Sequence, residues 1–155
     1  MTQKKRYNHP YHVICAGCLS LLISERMRCV CGSMQSFRVD VEMKDVITLL
    51  NQKGLKTVSS CASHIEALGS EYTIEHARLA HDWRDLIYVT FVKKYKFKEL
   101  PVGFQTKTNK AYLFLEHRIS TAQDREIHLQ LLSDWASSLD SHSLHQTPSS
   151  NRNIS

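Results

Sequence analysis

Four cysteines near the N-terminus constrain this chain more than any other feature. They form two hooks, Cys15-Ala16-Gly17-Cys18 and Cys29-Val30-Cys31, separated by the ten residues Leu19 to Arg28. Each hook sets two thiolates on one tight turn. The stretch between them is long enough for a small β-hairpin that brings the hooks together. Zinc accepts four thiolates in a closed tetrahedron. The spacing therefore predicts a zinc ribbon or knuckle over residues 9–35, with Cys15, Cys18, Cys29 and Cys31 as ligands. The second hook, Cys-x-Cys, is less usual than Cys-x-x-Cys and leaves two other readings open. One is a set of disulfides, which needs an oxidising compartment. The other is a secretory leader, with Lys4, Lys5 and Arg6 ahead of a mostly apolar run from Val13 to Ile23. Against the leader, His9, Pro10 and His12 interrupt the pattern and no small-residue cleavage site follows Ile23. His9 and His12 are substitute ligands if one cysteine is unused; solvated rings beside the site are the simpler reading.

The remaining composition narrows the class. Hydrophobic residues at 42% and charged residues at 23% are those of a globular chain. The 155 residues suit one ordinary domain with a small metal module attached. No apolar run reaches the roughly 18 to 20 residues that span a bilayer, so no membrane partner is expected. Cys61 makes the cysteine count odd. Thiolates that serve as metal ligands fit a reducing, cytoplasmic location. Lys and Arg number 20 against 15 acidic residues, a net charge of +5. That excess permits contact with a phosphate backbone without requiring it.

Residues 1–8 read as a loose, basic lead-in. Ser36 to Val41 alternates as a strand, with Phe37, Val39 and Val41 opposite Arg38 and Asp40. Met43 to Lys53 reads as a helix with Met43, Val46, Ile47 and Leu50 on one face and Gly54 as its C-terminal stop. Leu55 to Ser60 leans to strand. Ser70 to Arg84 is helical or irregular, with His76 and His81 on it reading as structural or solvated rather than a second metal site. Leu86 to Val92 is apolar on both faces and predicts a central strand. A turn at Leu100 to Phe104, a strand over Lys110 to His117 and a final helix follow. That helix carries a Ser120/Gln123 capping pattern and a stripe of Ile127, Leu131, Leu132, Trp135 and Leu139. Residues 141–155 offer little to bury and read as a disordered tail. The body, residues 36–140, is thus an α+β or small α/β domain: a short sheet packed by two or three helices.

The segment from Lys53 to Ile65, KGLKTVSSCASHI, resembles a motif of small phage and Gram-positive bacterial proteins, KGYKT followed by a strand and CCSGH. In that group a strand, an LP-x-GF turn, another strand and a C-terminal helix follow, and Leu100-Pro101-Val102-Gly103-Phe104, Tyr112 to Leu115 and the Trp135 helix keep that order. The group has no settled activity. More distantly, Thr57 to Ile65 is similar to TTSSCSGRI of the tRNA wybutosine-synthesis methyltransferase family, and Trp83 with the Leu86 to Val92 strand to its WLFVSH segment. That family uses S-adenosylmethionine. Here Ala62 and Ser63 stand where it has Ser and Gly, His64 stands where it has Arg, and the cysteine module has no counterpart. The similarity implies the fold and not the methyl transfer.

Two further sites are expected. Ser60, Cys61, Ser63 and His64 follow a strand, where small polar residues can present backbone N–H groups to an anion or ligand. A Cys61/His64 nucleophile pair lacks an orienting third residue, so no catalytic residue is assigned. Lys93, Lys94, Lys96 and Lys98 interleave with Tyr95 and Phe97, which suits phosphates plus stacked bases, and Lys107 and Lys110 extend the row across a hairpin. The same lysines would also protect a solvated edge strand. The leading expectation is a zinc-containing, non-enzymatic protein of phage or mobile-element type that binds RNA or DNA. The alternatives are an interaction protein that redirects a host protein complex, and an enzyme modifying a nucleoside or RNA through the Ser60 to His64 segment.

Overall fold

The structure is a computed structural model and describes residues 9–65, 84–140 and 144–146. The expected basic lead-in, Ser70 to Trp83 with its two histidines, and most of the C-terminal tail lie outside the described residues. Helix and strand are mixed, and every strand pairing is antiparallel.

The N-terminal sheet has three strands in the order β2-β1-β3: β1 (Tyr11–Cys15), β2 (Leu21–Leu22) and β3 (Ser36–Asp40). β3 is the alternating strand expected from sequence, with Val39 buried and Arg38 exposed. It ends in a short 3-10 turn, Val41–Met43, that leads into α1 (Lys44–Gln52). The expected division between residues 35 and 36 runs between paired strands, because Cys15 lies opposite Ser36 and Ile14 opposite Phe37. Ile14 and Val39 share one core with the rest of the molecule, so the cysteine region is built into the fold.

The second sheet has the order β4-β5-β8-β7, from β4 (Thr57–Ala62), β5 (Leu86–Phe91), β7 (Gln105–Thr108) and β8 (Leu113–Arg118). β5 is central, as its two apolar faces predict. Ile87, Val89 and Phe91 point into the core beside Leu113 and Leu115. β8 starts three residues later than expected: Asn109 Oδ1 accepts the N–H groups of Ala111 and Tyr112, which holds that stretch in a turn. β6 (Tyr95–Phe97) pairs with β9 (Leu144–Gln146). Residues 144–146 thus form a strand inside the stretch expected to be disordered, because a ladder of backbone hydrogen bonds requires no apolar side chains.

Among the described residues, two helices cover the core. α1 buries Val46, Ile47 and Leu50. It ends in a Schellman motif, in which Leu55 N–H reaches Leu50 O at 2.9 Å and Gly54 N–H reaches Asn51 O at 3.0 Å. Gly54 has φ of 86°, the left-handed conformation this motif requires. α2 (Ala122–Ser138) is capped one residue later than the sequence pattern suggested. The Thr121 hydroxyl accepts the Asp124 N–H at 3.0 Å, and the Asp124 carboxylate accepts the Ser120 N–H at 3.1 Å. Its buried face is Leu132, Trp135 and Ala136, whereas Ile127 is exposed. The real stripe is therefore short and sits in the last two turns.

Lys53 joins the two helices. Its ammonium donates to the carbonyls of Ala136 (2.8 Å), Ser137 (2.9 Å) and Leu139 (2.5 Å), groups that the end of α2 leaves without intrahelical partners. A cation at a helix C-terminus also meets the negative end of the macrodipole. Replacing Lys53 with Met keeps the stem and removes the cap. Thermal denaturation should show a loss of about 1–2 kcal/mol, and Lys53→Arg should recover most of it.

Candidate functional site

The hooks meet because of where the strands place them. Cys15 ends β1, and the turn Ala16-Gly17-Cys18 leads to β2, so the first hook is itself the turn of the β1–β2 hairpin. The hairpin was expected between the hooks instead. Leu19 N–H bonds to Cys15 O at 3.0 Å and Gly17 N–H to Cys15 Sγ at 3.3 Å, which folds the chain around the sulfur. The second hook turns at Gly32, φ 91°, and Cys29 N–H meets Ser33 O. Gly17 is needed for close approach: a Cβ there would lie 3.0 Å from Ser33 Cβ and 3.2 Å from Cys31 Sγ.

Cys15 Sγ and Cys31 Sγ are 3.6 Å apart, Cys18 Sγ and Cys29 Sγ 3.5 Å, and all four sulfurs lie within 4.8 Å of one another. A tetrahedral ion with bonds of ~2.3 Å separates its sulfurs by about 3.8 Å. The four thiols therefore lie close enough to hold a metal ion, and the donor set fits a soft or borderline one. The thiols differ in how readily each gives up its proton. The Cys18 backbone N–H, above other contacts, draws Cys15 down to about 6. At Cys29 the Cys31 backbone N–H also acts downward, but the neighbouring sulfurs and burial outweigh it and push the thiol up to about 12. Cys18 is drawn down as well, chiefly by the Ser20 hydroxyl. Among the described residues no histidine, His12 included, belongs to this group.

The Ser60 to His64 segment is less of a loop than expected. β4 runs on to Ala62, so Ser60 and Cys61 are strand residues, opposite Val89 and Tyr88. Cys61 is 2% exposed, and burial, aided by the charge of Asp40, pushes its thiol up to about 12. It is a thiol packed inside the sheet. Ser63 is fully buried in the left-handed region, φ 70°, and its hydroxyl donates to Arg84 O at 2.9 Å. The position thus takes up a backbone conformation that glycine would adopt freely. His64 then projects toward Asp40, with Nε2 3.2 Å from Oδ2.

That placement assembles a cluster the sequence does not announce. Asp40 Oδ2 also accepts the Ala62 N–H at 2.7 Å. The His9 ring stacks on His64 with centroids 4.5 Å apart, and its Nε2 lies 2.8 Å from Glu42 Oε2. His9 is a member of this cluster and not a solvated ring beside the cysteines, since its side chain is 7% exposed. His9, Asp40 and His64 each bring a ligand atom to within 4.8 Å of the others. They come from chain segments far apart, so no local spacing could have revealed them.

The lysine row is arranged differently from the expectation. Lys93, Lys94, Lys96 and Lys98 are all exposed. The interleaved aromatics are not available for bases. Tyr95 is buried, and Phe97 packs edge-on against Trp135 at 5.0 Å and against Phe91 at 5.6 Å. Lys107 and Lys110 do not continue the row across a hairpin, because β6 pairs with β9 and β7 with β8. Lys107 is instead engaged with Glu116 at 2.7 Å, and Lys110 sits in the exposed turn before β8.

A third group, His117, Asp124 and His128, joins the end of a strand to the first turns of a helix, a meeting that no local spacing announces. No protein-family model matches this chain, and no curated protein or solved structure matches it. Among the described residues no helix is long and apolar enough to cross a membrane.

The cysteine geometry has a direct test. Cys15→Ser and Cys29→Ser should each abolish tight metal binding, read by elemental analysis of the purified chain. Loss of the metal should also melt β1 to β3, since a structural tetrathiolate ion supplies about 10 kcal/mol of folding free energy. Unchanged metal content and melting in both variants would refute the assignment.

Proposed function

We propose that this chain is a small zinc-binding protein that holds nucleic acid without chemically altering it, of phage or mobile-element type. The single observation that carries the reading is the exposed row Lys93, Lys94, Lys96 and Lys98 on and beside a ribbon whose aromatics are anchored in the core. Anchoring Tyr95 and Phe97 fixes the backbone of the lysines, so a phosphate chain meets pre-positioned cations and less backbone order is lost on binding. The net charge of +5 favours the same partner. Zinc is the ion proposed for Cys15, Cys18, Cys29 and Cys31, in a closed zinc-ribbon-like site with a scaffold role. Such thiolates fit a reducing, cytoplasmic setting. The likeness of Lys53 to Ile65 to small phage and Gram-positive bacterial proteins supports the phage assignment. Contacts run through phosphates and not through stacked bases, so the preference is for charge density and not for sequence.

A second reading rests on the His9, Asp40, Glu42 and His64 cluster. Two imidazoles, each beside a carboxylate, converge next to a buried serine in a left-handed conformation, a combination suited to proton transfer on a bound nucleoside. S-adenosylmethionine or a nucleotide should then bind the chain, and His64→Ala should abolish that binding. Calorimetry showing no heat with either compound on the wild type would end this reading.

The primary reading is tested by titrating tRNA, single-stranded RNA and duplex DNA at several salt concentrations, beside a Lys94/Lys96/Lys98→Ala triple variant. Submicromolar binding at low salt is expected. The slope of log K against log salt should fall by about 2–3 in the triple variant, as three phosphate contacts are lost. Absence of binding to all three would leave the lysines as guards of a strand edge and favour a host-protein partner. That partner should then survive nuclease treatment in a pull-down.

A further inference from the structure

We propose that His117, Asp124 and His128 form a second metal site, for a first-row divalent transition ion, separate from the four cysteines and independent of the nucleic-acid reading. His117 lies near the end of β8. Asp124 and His128 lie four residues apart on the first turns of α2 and so share one helix face. Each of the three offers a ligand atom, and these atoms all lie within 4.8 Å of one another.

The decisive atom is His117 Nε2. On the other side of that ring, Nδ1 is 2.8 Å from Gly103 O. A carbonyl can only accept, so Nδ1 carries the proton and Nε2 keeps a bare lone pair. That lone pair is buried and has no hydrogen-bond partner. Buried polar atoms left unsatisfied are uncommon and point to a missing partner. A ring whose far N–H is fixed on a backbone carbonyl is also the usual outer arrangement of a metal-bound histidine.

The other two ligands are held by their own contacts. Asp124 Oδ2 receives the Ser120 N–H at 3.1 Å, and His128 Nδ1 lies 2.9 Å from Asp124 O and 2.8 Å from Asp124 Oδ1, contacts that the ring exchanges for the ion. The carboxylate is therefore held in place by the capping turn of α2 before any ion arrives. The imidazoles of His117 and His128 stack with centroids 3.7 Å apart and planes 18° apart. A shared ion must lie in the plane of each ring. Binding thus turns the His128 ring about its Cβ–Cγ bond, a soft torsion, and opens the stack. The 101–104 turn closes one side. Gly103 has φ of 84°, and a Cβ on it would stand 3.0 Å from His128 Nε2 and 3.2 Å from His117 Nδ1. The Phe104 ring lies against both imidazoles at 5.4 and 6.3 Å, so one wall is apolar.

Two imidazoles and one carboxylate suit zinc, iron, cobalt or nickel and disfavour magnesium and calcium, which prefer all-oxygen sets. Three protein ligands also leave a position open, unlike the closed tetrathiolate.

The test uses the full chain carrying one tightly held ion on its cysteines. Ni2+ is added, and binding is followed by calorimetry and by elemental analysis after gel filtration. A second equivalent should bind to the wild type. His117→Gln and His128→Gln should each weaken it about tenfold or more while leaving the first ion and the far-ultraviolet circular dichroism unchanged. His64→Ala should leave it intact. In the wild type the His128 ring proton resonances should shift on binding as the stack opens. Failure of the wild type to take a second equivalent would overturn the proposal. So would a second equivalent that survives in both glutamine variants, or one lost in His64→Ala, which would place the ion on His9, Asp40 and His64 instead.

Discussion

One carboxylate oxygen, Oδ2 of Asp40, ties the cysteine-bearing sheet to the main sheet. It terminates β3 and accepts both the Ala62 N–H, at the end of β4, and the His64 ring. β3 and β4 are not partners in a ladder, so this contact joins the apolar packing of Ile14 and Val39 in linking the two sheets. Its consequences spread in both directions. Toward the N-terminus, β3 is fixed and with it β1, whose last residue is Cys15. Toward the C-terminus, the chain after Ala62 must leave the strand sharply, which is where Ser63 turns left-handed. A hydrogen bond in a mostly buried setting is stronger than one in water, so this residue adds to that packing.

Much of the fold was legible because its elements are held by local pattern. The alternation of Phe37, Arg38 and Val39, the two-faced run Leu86 to Phe91, and the Val46, Ile47 and Leu50 face of α1 each appear where period alone places them. The segment from Lys53 to Thr57 explains itself in the same terms. Gly54 completes a helix stop, Lys53 caps the neighbouring helix, and Thr57 binds the Asn51 side chain at 2.9 Å. The errors fell where a tertiary contact decides. The N-cap of α2 moved to Thr121 because Asp124 can reach back from there to Ser120. Ile127 left the stripe because only the last two turns of α2 meet the core.

The sites divide along the same line. Four cysteines at hook spacing are visible because metal ligands on a turn must be close in sequence. The lysine row was visible too, but the fate of Tyr95 and Phe97 was not. Alternation assigns them to one face without saying whether that face meets a base or a core, and Trp135 settles it for the core. The histidine clusters were illegible for a plainer reason. His9 and His64 meet across 55 residues of chain and His117 and His128 across a strand and a helix, so only the folded chain brings them together.

Ser63 shows how such a cluster is held. A non-glycine residue in the left-handed region carries a backbone penalty of about 1 kcal/mol. Here two bonds converge on one acceptor, Arg84 O, from the Ser63 hydroxyl and the His64 N–H, at 2.9 and 2.7 Å. Arg125, from α2, reaches the Ser63 carbonyl at 3.4 Å. Glycine would relieve the strain but lose the hydroxyl bond in a fully buried position. Alanine would keep the strain and lose the same bond. Serine is the residue that turns the chain toward Asp40 and pairs its own buried hydroxyl with the Arg84 carbonyl in the same step, and the strain it holds is offset by the neighbours that its turn brings into place.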